Sequence, residues 1–72
     1  MVYPNPSNGF IYVYIPNQKI TDIKVYDIAG KNIYAKSGTG RLAMNLSDQH
    51  AGIYFLQLIQ DLHSEVFRLI IK

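Results

Sequence analysis

A chain of 72 residues without cysteine or tryptophan has room for one domain and not two. With 49% apolar and 17% charged residues it is too hydrophobic for a disordered chain, while no apolar run approaches the ~18–20 residues of a membrane-spanning helix. The net charge of +2 comes from scattered residues, Lys19, Lys24, Lys31, Lys36, Arg41, Arg68 and Lys72. They form no phosphate-tracking stripe, so nucleic acid is not an expected partner, and the lack of cysteine excludes disulfides, thiol nucleophiles and zinc–thiolate sites.

The opening Val2-Tyr3-Pro4-Asn5-Pro6-Ser7-Asn8-Gly9 predicts a short extended start followed by a turn, because each proline fixes φ and Gly9 tolerates positive φ. Phe10 to Ile15 then reads as a strand apolar on both parities, with Phe10, Tyr12 and Tyr14 on one face and Ile11, Val13 and Ile15 on the other. After the turn Pro16-Asn17-Gln18-Lys19, a second strand is expected from Asp22 to Ile28, placing Lys24, Tyr26 and Ile28 on one face. A tight turn at Ala29-Gly30-Lys31-Asn32 leads to a return strand, Ile33 to Ala35, and then to an expected flexible loop, Ser37-Gly38-Thr39-Gly40. Asp27 is expected to accept hydrogen bonds from the backbone of Ala29 to Lys31.

Arg41 to Leu46 alternates, with Leu42, Met44 and Leu46 inward. A polar connection over Ser47 to Ala51 precedes an apolar strand from Ile53 to Ile59, a hairpin turn over Gln60 to His63, and a last strand from Val66 to Ile71. That makes six strands, or seven if Val2-Tyr3 pairs, and predicts an all-β, immunoglobulin-like antiparallel sandwich. Tyr54, after Asp48, Ala51 and Gly52, stands where a tyrosine corner would bond back to the preceding loop.

No constellation in the sequence carries catalysis. Ser47, Asp48 and His50 are neighbours in one short loop, which cannot set serine and aspartate on opposite sides of an imidazole beside an oxyanion hole. Asp22, Asp27, Asn45 and Asp48 lack the spacing of a dedicated calcium loop, so neither a metal nor another cofactor is expected. Tyr12, Tyr14, Tyr26 and Tyr34 supply the material for a sugar-stacking platform, which keeps a carbohydrate-binding or spacer module of a secreted hydrolase as the alternative reading. The segment Phe67-Arg68-Leu69-Ile70-Ile71-Lys72 is β-rich to its last residue, and such a strand at a sheet edge would be open to recognition by β-augmentation or capture of the carboxylate.

Taken in order, Val2-Tyr3-Pro4-Asn5-Pro6-Ser7-Asn8-Gly9, Val25-Tyr26-Asp27, Gly30-Lys31, Asn45-Leu46-Ser47, Gly52-Ile53-Tyr54-Phe55-Leu56 and Leu69-Ile70-Ile71-Lys72 resemble the C-terminal sorting domain of the type IX (Por) secretion system. The resemblance spans essentially the whole chain, and departs from the family where Phe67-Arg68 stands in place of a common pair of basic residues. It implies an immunoglobulin-like, non-enzymatic domain covalently preceded by a cargo protein of a Bacteroidetes-type bacterium. Met1 would then be a start added to the excised domain, which also accounts for the lack of a signal peptide. The resemblance further implies transit of the periplasm, delivery to the outer-membrane type IX translocon with its associated shuttle proteins, cleavage by a sortase-like cysteine protease, and arrival at the cell surface or release.

Carried over residue by residue, the family pattern matches Pro4, Asn5, Pro6, Gly9, Asp27, Gly30, Lys31, Gly52, Tyr54 and Lys72. Of these, Gly9, Asp27, Gly30, Lys31, Gly52 and Tyr54 are expected to shape turns and the corner. Pro4, Asn5, Pro6 and Lys72, together with Arg68, are the expected contacts with the export machinery, because termini and their flanks can be reached from outside.

Overall fold

The computed structural model describes residues 2–3, 8–16 and 19–72. Two antiparallel sheets face each other. One is ordered β1-β2-β5, from β1 (Val2–Tyr3), β2 (Phe10–Ile15) and β5 (Gly40–Asn45). The other is ordered β4-β3-β6-β7, from β4 (Asn32–Gly38), β3 (Thr21–Tyr26), β6 (Gly52–Gln60) and β7 (His63–Ile71). The full strands number six, of six to nine residues each; the seventh expected from the sequence is the two-residue ladder of β1 on β2.

Period-two patterning decides which side chains go inside. Ile11, Val13 and Ile15 of β2, Ile23 and Val25 of β3, Met44 and Leu46 at the end of β5, Tyr54 and Leu56 of β6, and Leu69 and Ile71 of β7 form one buried cluster between the sheets. The second parity of β2 faces outward, leaving Phe10, Tyr12 and Tyr14 about half exposed. The radius of gyration, 11.4 Å, matches the ~11 Å expected for a compact chain of this length. Among the described residues Thr21 is the buried polar one: its hydroxyl donates to the Lys19 carbonyl (3.2 Å) and accepts from Gln60 Nε2 (2.8 Å).

Three expectations fail at element ends, one of them the turn over Gln60 to His63 before a strand from Val66: Gln60 pairs with His63, so the turn is Asp61 and Leu62 and β7 starts at His63. Ile28 does not continue the outer face of β3. The Asp27 carboxylate takes the main-chain N–H of Ala29 (3.0 Å) and of Lys31 (2.9 Å), which ends the ladder at Tyr26 and leaves Ile28 75% exposed in the turn. Nor is Ser37 to Gly40 a loop. Ser37 and Gly38 pair with Asp22 and Thr21, Gly40 pairs with Ile15, and Thr39 alone links the two sheets. Nearby, Lys36 reaches across from β4 to donate from Nζ to the Ala43 carbonyl of β5 (3.2 Å), a cation at neighbouring strand edges that discourages further pairing there.

Candidate functional site

The described turn-shaping residues Gly9, Asp27, Gly30, Lys31, Gly52 and Tyr54, dispersed in the sequence, converge at one end of the sandwich. Ladder direction requires it: Phe10 pairs with Asn45, Tyr26 with both Asn32 and Phe55, and Gly52 with Ile71. The turn after β3, the connection from β5 to β6, the start of β2 and the end of β7 therefore share this end. Pro16, Thr39 and the turn Asp61–Leu62 share the opposite one.

Each of these residues has a local physical role. Gly9 adopts φ +107° and is buried against the crossing chain, its carbonyl accepting from the Leu46 N–H (2.7 Å). Asp27 organises its turn through the two carboxylate bonds above and by accepting the Gly30 N–H on its main-chain oxygen (3.0 Å); Gly30, at φ +88°, completes the turn, and Lys31 contributes backbone. Gly52 is the first residue of β6. The Tyr54 hydroxyl donates to the His50 carbonyl at 2.6 Å, pinning the β5–β6 connection to the core in the manner of a tyrosine corner. Removing that bond in Tyr54→Phe is expected to lower stability by about 1–1.5 kcal/mol and Tm by roughly 5–10 °C, measured by thermal circular dichroism.

The terminal strand is an edge strand, outermost in its sheet and extended through Ile71. Leu69 and Ile71 point inward, while Arg68, Ile70 and Lys72 are exposed. Cross-strand register places Ile53 opposite Ile70 and Phe55 opposite Arg68, and Tyr26 borders Phe55 from β3. The outer face of β6 and β7 thus carries an apolar surface: Ile53 (41% exposed), Phe55 (36%), Ile70 (36%) and, further along, Val66 (61%), interrupted by the Arg68 cation. Single exposed apolar residues are ordinary, whereas a contiguous row rimmed by polar groups marks a contact surface. Of the residues expected to touch the export machinery, Arg68 and Lys72 lie on or beside this surface; Pro4, Asn5 and Pro6 fall outside the described residues. The sequence reading did not single out Ile53, Phe55 and Ile70. Their signal was the double apolar parity of Ile53 to Ile59, which leaves one face with no core to enter.

The alternative chemistry does not assemble. Tyr12 and Tyr14 lie on the outer face of the first sheet, Tyr26 on the outer face of the second, and Tyr34 packs half-buried against the core. Four tyrosines so divided make no common stacking platform. In the Ser47–His50 loop, the Ser47 N–H is held by Asn45 Oδ1 (3.0 Å) and the Gln49 N–H by the Leu46 carbonyl (3.0 Å). Among the described residues no hydrogen bond joins the side chains of Ser47, Asp48 and His50, and no group of three or more histidine and acidic side chains could hold a metal ion.

The family of secretion system C-terminal sorting domains matches residues 1–72, the entire chain. The chain belongs to that family. No curated protein matches it. As a member, this sorting domain is the C-terminal secretion signal of a type IX cargo protein, exported to the cell surface or secreted. That membership favours the sorting role over a carbohydrate-binding module.

Proposed function

We propose that the sorting domain is read by the outer-membrane translocon and its shuttle proteins through the outer face of β6–β7 and the terminal residues of β7, after a periplasmic passage. A sortase-like cysteine protease then cuts upstream of the domain. The supporting observation is the edge position of β7, whose alternation anchors Leu69 and Ile71 in the core while displaying Arg68, Ile70 and Lys72 beside Ile53 and Phe55. A signal held on a folded surface loses little ordering entropy on binding.

The test is a reporter carrying an N-terminal signal peptide and this domain, expressed in a host with the type IX system. Arg68→Glu combined with Ile70→Ser is expected to reduce surface display by roughly ten-fold or more, as for a central contact patch, with the reporter accumulating in the periplasm. Circular dichroism on the purified variant confirms that the fold persists. Undiminished display by the folded variant would refute this surface as the signal.

A further inference from the structure

One side of the sandwich is bounded by β4 and β5, each an outermost strand of its sheet among the described residues. Thr39 alone joins them, and the two edges run close beside this corner: a Cβ built at Gly38 would stand 2.6 Å from Leu42 Cδ2. In an antiparallel pair, alternate residues turn both main-chain groups to the partner strand, and the residues between them turn theirs away. The Leu46 N–H bonds the Gly9 carbonyl, so Leu42 and Met44, of the same parity, turn theirs toward β2. Arg41, Ala43 and Asn45 therefore turn their N–H and C=O groups outward, as a template for an added strand.

We infer that Lys36 is a guard residue, which closes the β4–β5 side against strand addition by a second copy of this chain and so keeps the domain monomeric. Lys36 stands opposite Ile23, which is fully buried, so its parity on β4 points between the sheets. Its neighbours on that parity, Tyr34 and Gly38, stand opposite Val25 and Thr21, both buried. The lysine is exposed at this inward-parity position, and its Nζ donates to the Ala43 carbonyl of β5 (3.2 Å). Ala43 lies midway between the other two outward-turned residues. A second β5 laid antiparallel about Ala43 would match Arg41 of each copy to Asn45 of the other, a self-complementary two-fold contact. The ammonium group occupies the acceptor at the centre of that contact. An incoming strand has to displace it, or bury a cation against its own backbone without a counter-charge. A charge at inward parity is thus placed where it blocks the edge without disturbing the outer face. The guard is independent of how the translocon reads β6 and β7.

The experiment compares the parent chain with Lys36→Val, Lys36→Thr and Lys36→Arg by analytical ultracentrifugation over a range of concentrations. Valine and threonine both suit a strand and remove the cation, threonine without adding an apolar patch; arginine keeps the cation. Circular dichroism confirms that each variant is folded. Lys36→Val and Lys36→Thr are expected to dimerise at concentrations roughly ten-fold or more below any at which the parent does. In those dimers, amide exchange at Arg41, Ala43 and Asn45 is expected to slow by roughly ten-fold or more. Lys36→Arg is expected to stay monomeric with the parent. Folded neutral variants that associate no more than the parent overturn the inference. So does association by Lys36→Val alone, which would trace it to added apolar surface, or association that Lys36→Arg reproduces. Association that leaves exchange at Ala43 unchanged overturns it too, because the contact then lies elsewhere. None of these readouts involves export, so the outcome is separable from that of the surface-display test.

Discussion

Leu56→Ala is expected to cost the sorting domain about 2–5 kcal/mol, a large share of its stability. Leu56 is fully buried at the middle of β6, paired with Val25 on one side and Phe67 on the other, in the cluster between the sheets. Large-to-small changes at such sites cost about 2–5 kcal/mol. A domain of this length has about 4–11 kcal/mol in all, and without a disulfide its single core supplies most of it. Urea titration followed by tyrosine fluorescence reads the loss directly. Ile70→Ala, on the outer face of the neighbouring strand, is expected to lose less than about 1 kcal/mol, which makes it the control that separates folding from recognition. A loss below about 1 kcal/mol for Leu56→Ala would mean that the buried cluster does not carry the fold.

Gly9→Ala comes next in size, for two additive reasons. At φ +107° any L side chain is strained, and a Cβ built there meets the backbone of the crossing chain, 2.7 Å from Ser47 Cα and 2.8 Å from Ser47 N. Backbone atoms of a hydrogen-bonded segment cannot swing aside as a side-chain tip would. Strain and overlap together are expected to cost about 3 kcal/mol, or roughly 15 °C in Tm. Gly30→Ala has the first fault without the second: φ is +88°, but nothing lies within 4 Å, so about 1 kcal/mol is expected. Equal losses at the two glycines in parallel thermal melts would show that the close approach at Ser47 is not what requires glycine.

The fold was legible where burial is one-sided. Ile11, Val13 and Ile15, or Leu42, Met44 and Leu46, announce an inward parity because their neighbours differ from them. β4 extends beyond the expected Ile33 to Ala35 because an edge strand has little alternation to show. Lys36-Ser37-Gly38 has the composition of a loop and pairs only because β3 offers an edge. The end of β3 was overrun because Ile28 keeps the apolar parity, while the carboxylate of Asp27 decides the geometry from one residue before. The candidate surface was half visible. Arg68 and Lys72 follow from proximity to the terminus, but the union of Ile53 with Ile70 and of Phe55 with Arg68 depends on a register that the Asp61–Leu62 turn sets.

β1 and β7 both run toward the end of the sandwich at which Phe10 pairs with Asn45 and Gly52 pairs with Ile71. Traction between an anchored carboxyl terminus and a trailing load would thus be directed along the strand axes. The bonds joining β7 to β6 would then be strained in shear, all bearing together, instead of parting one after another as in a zipper.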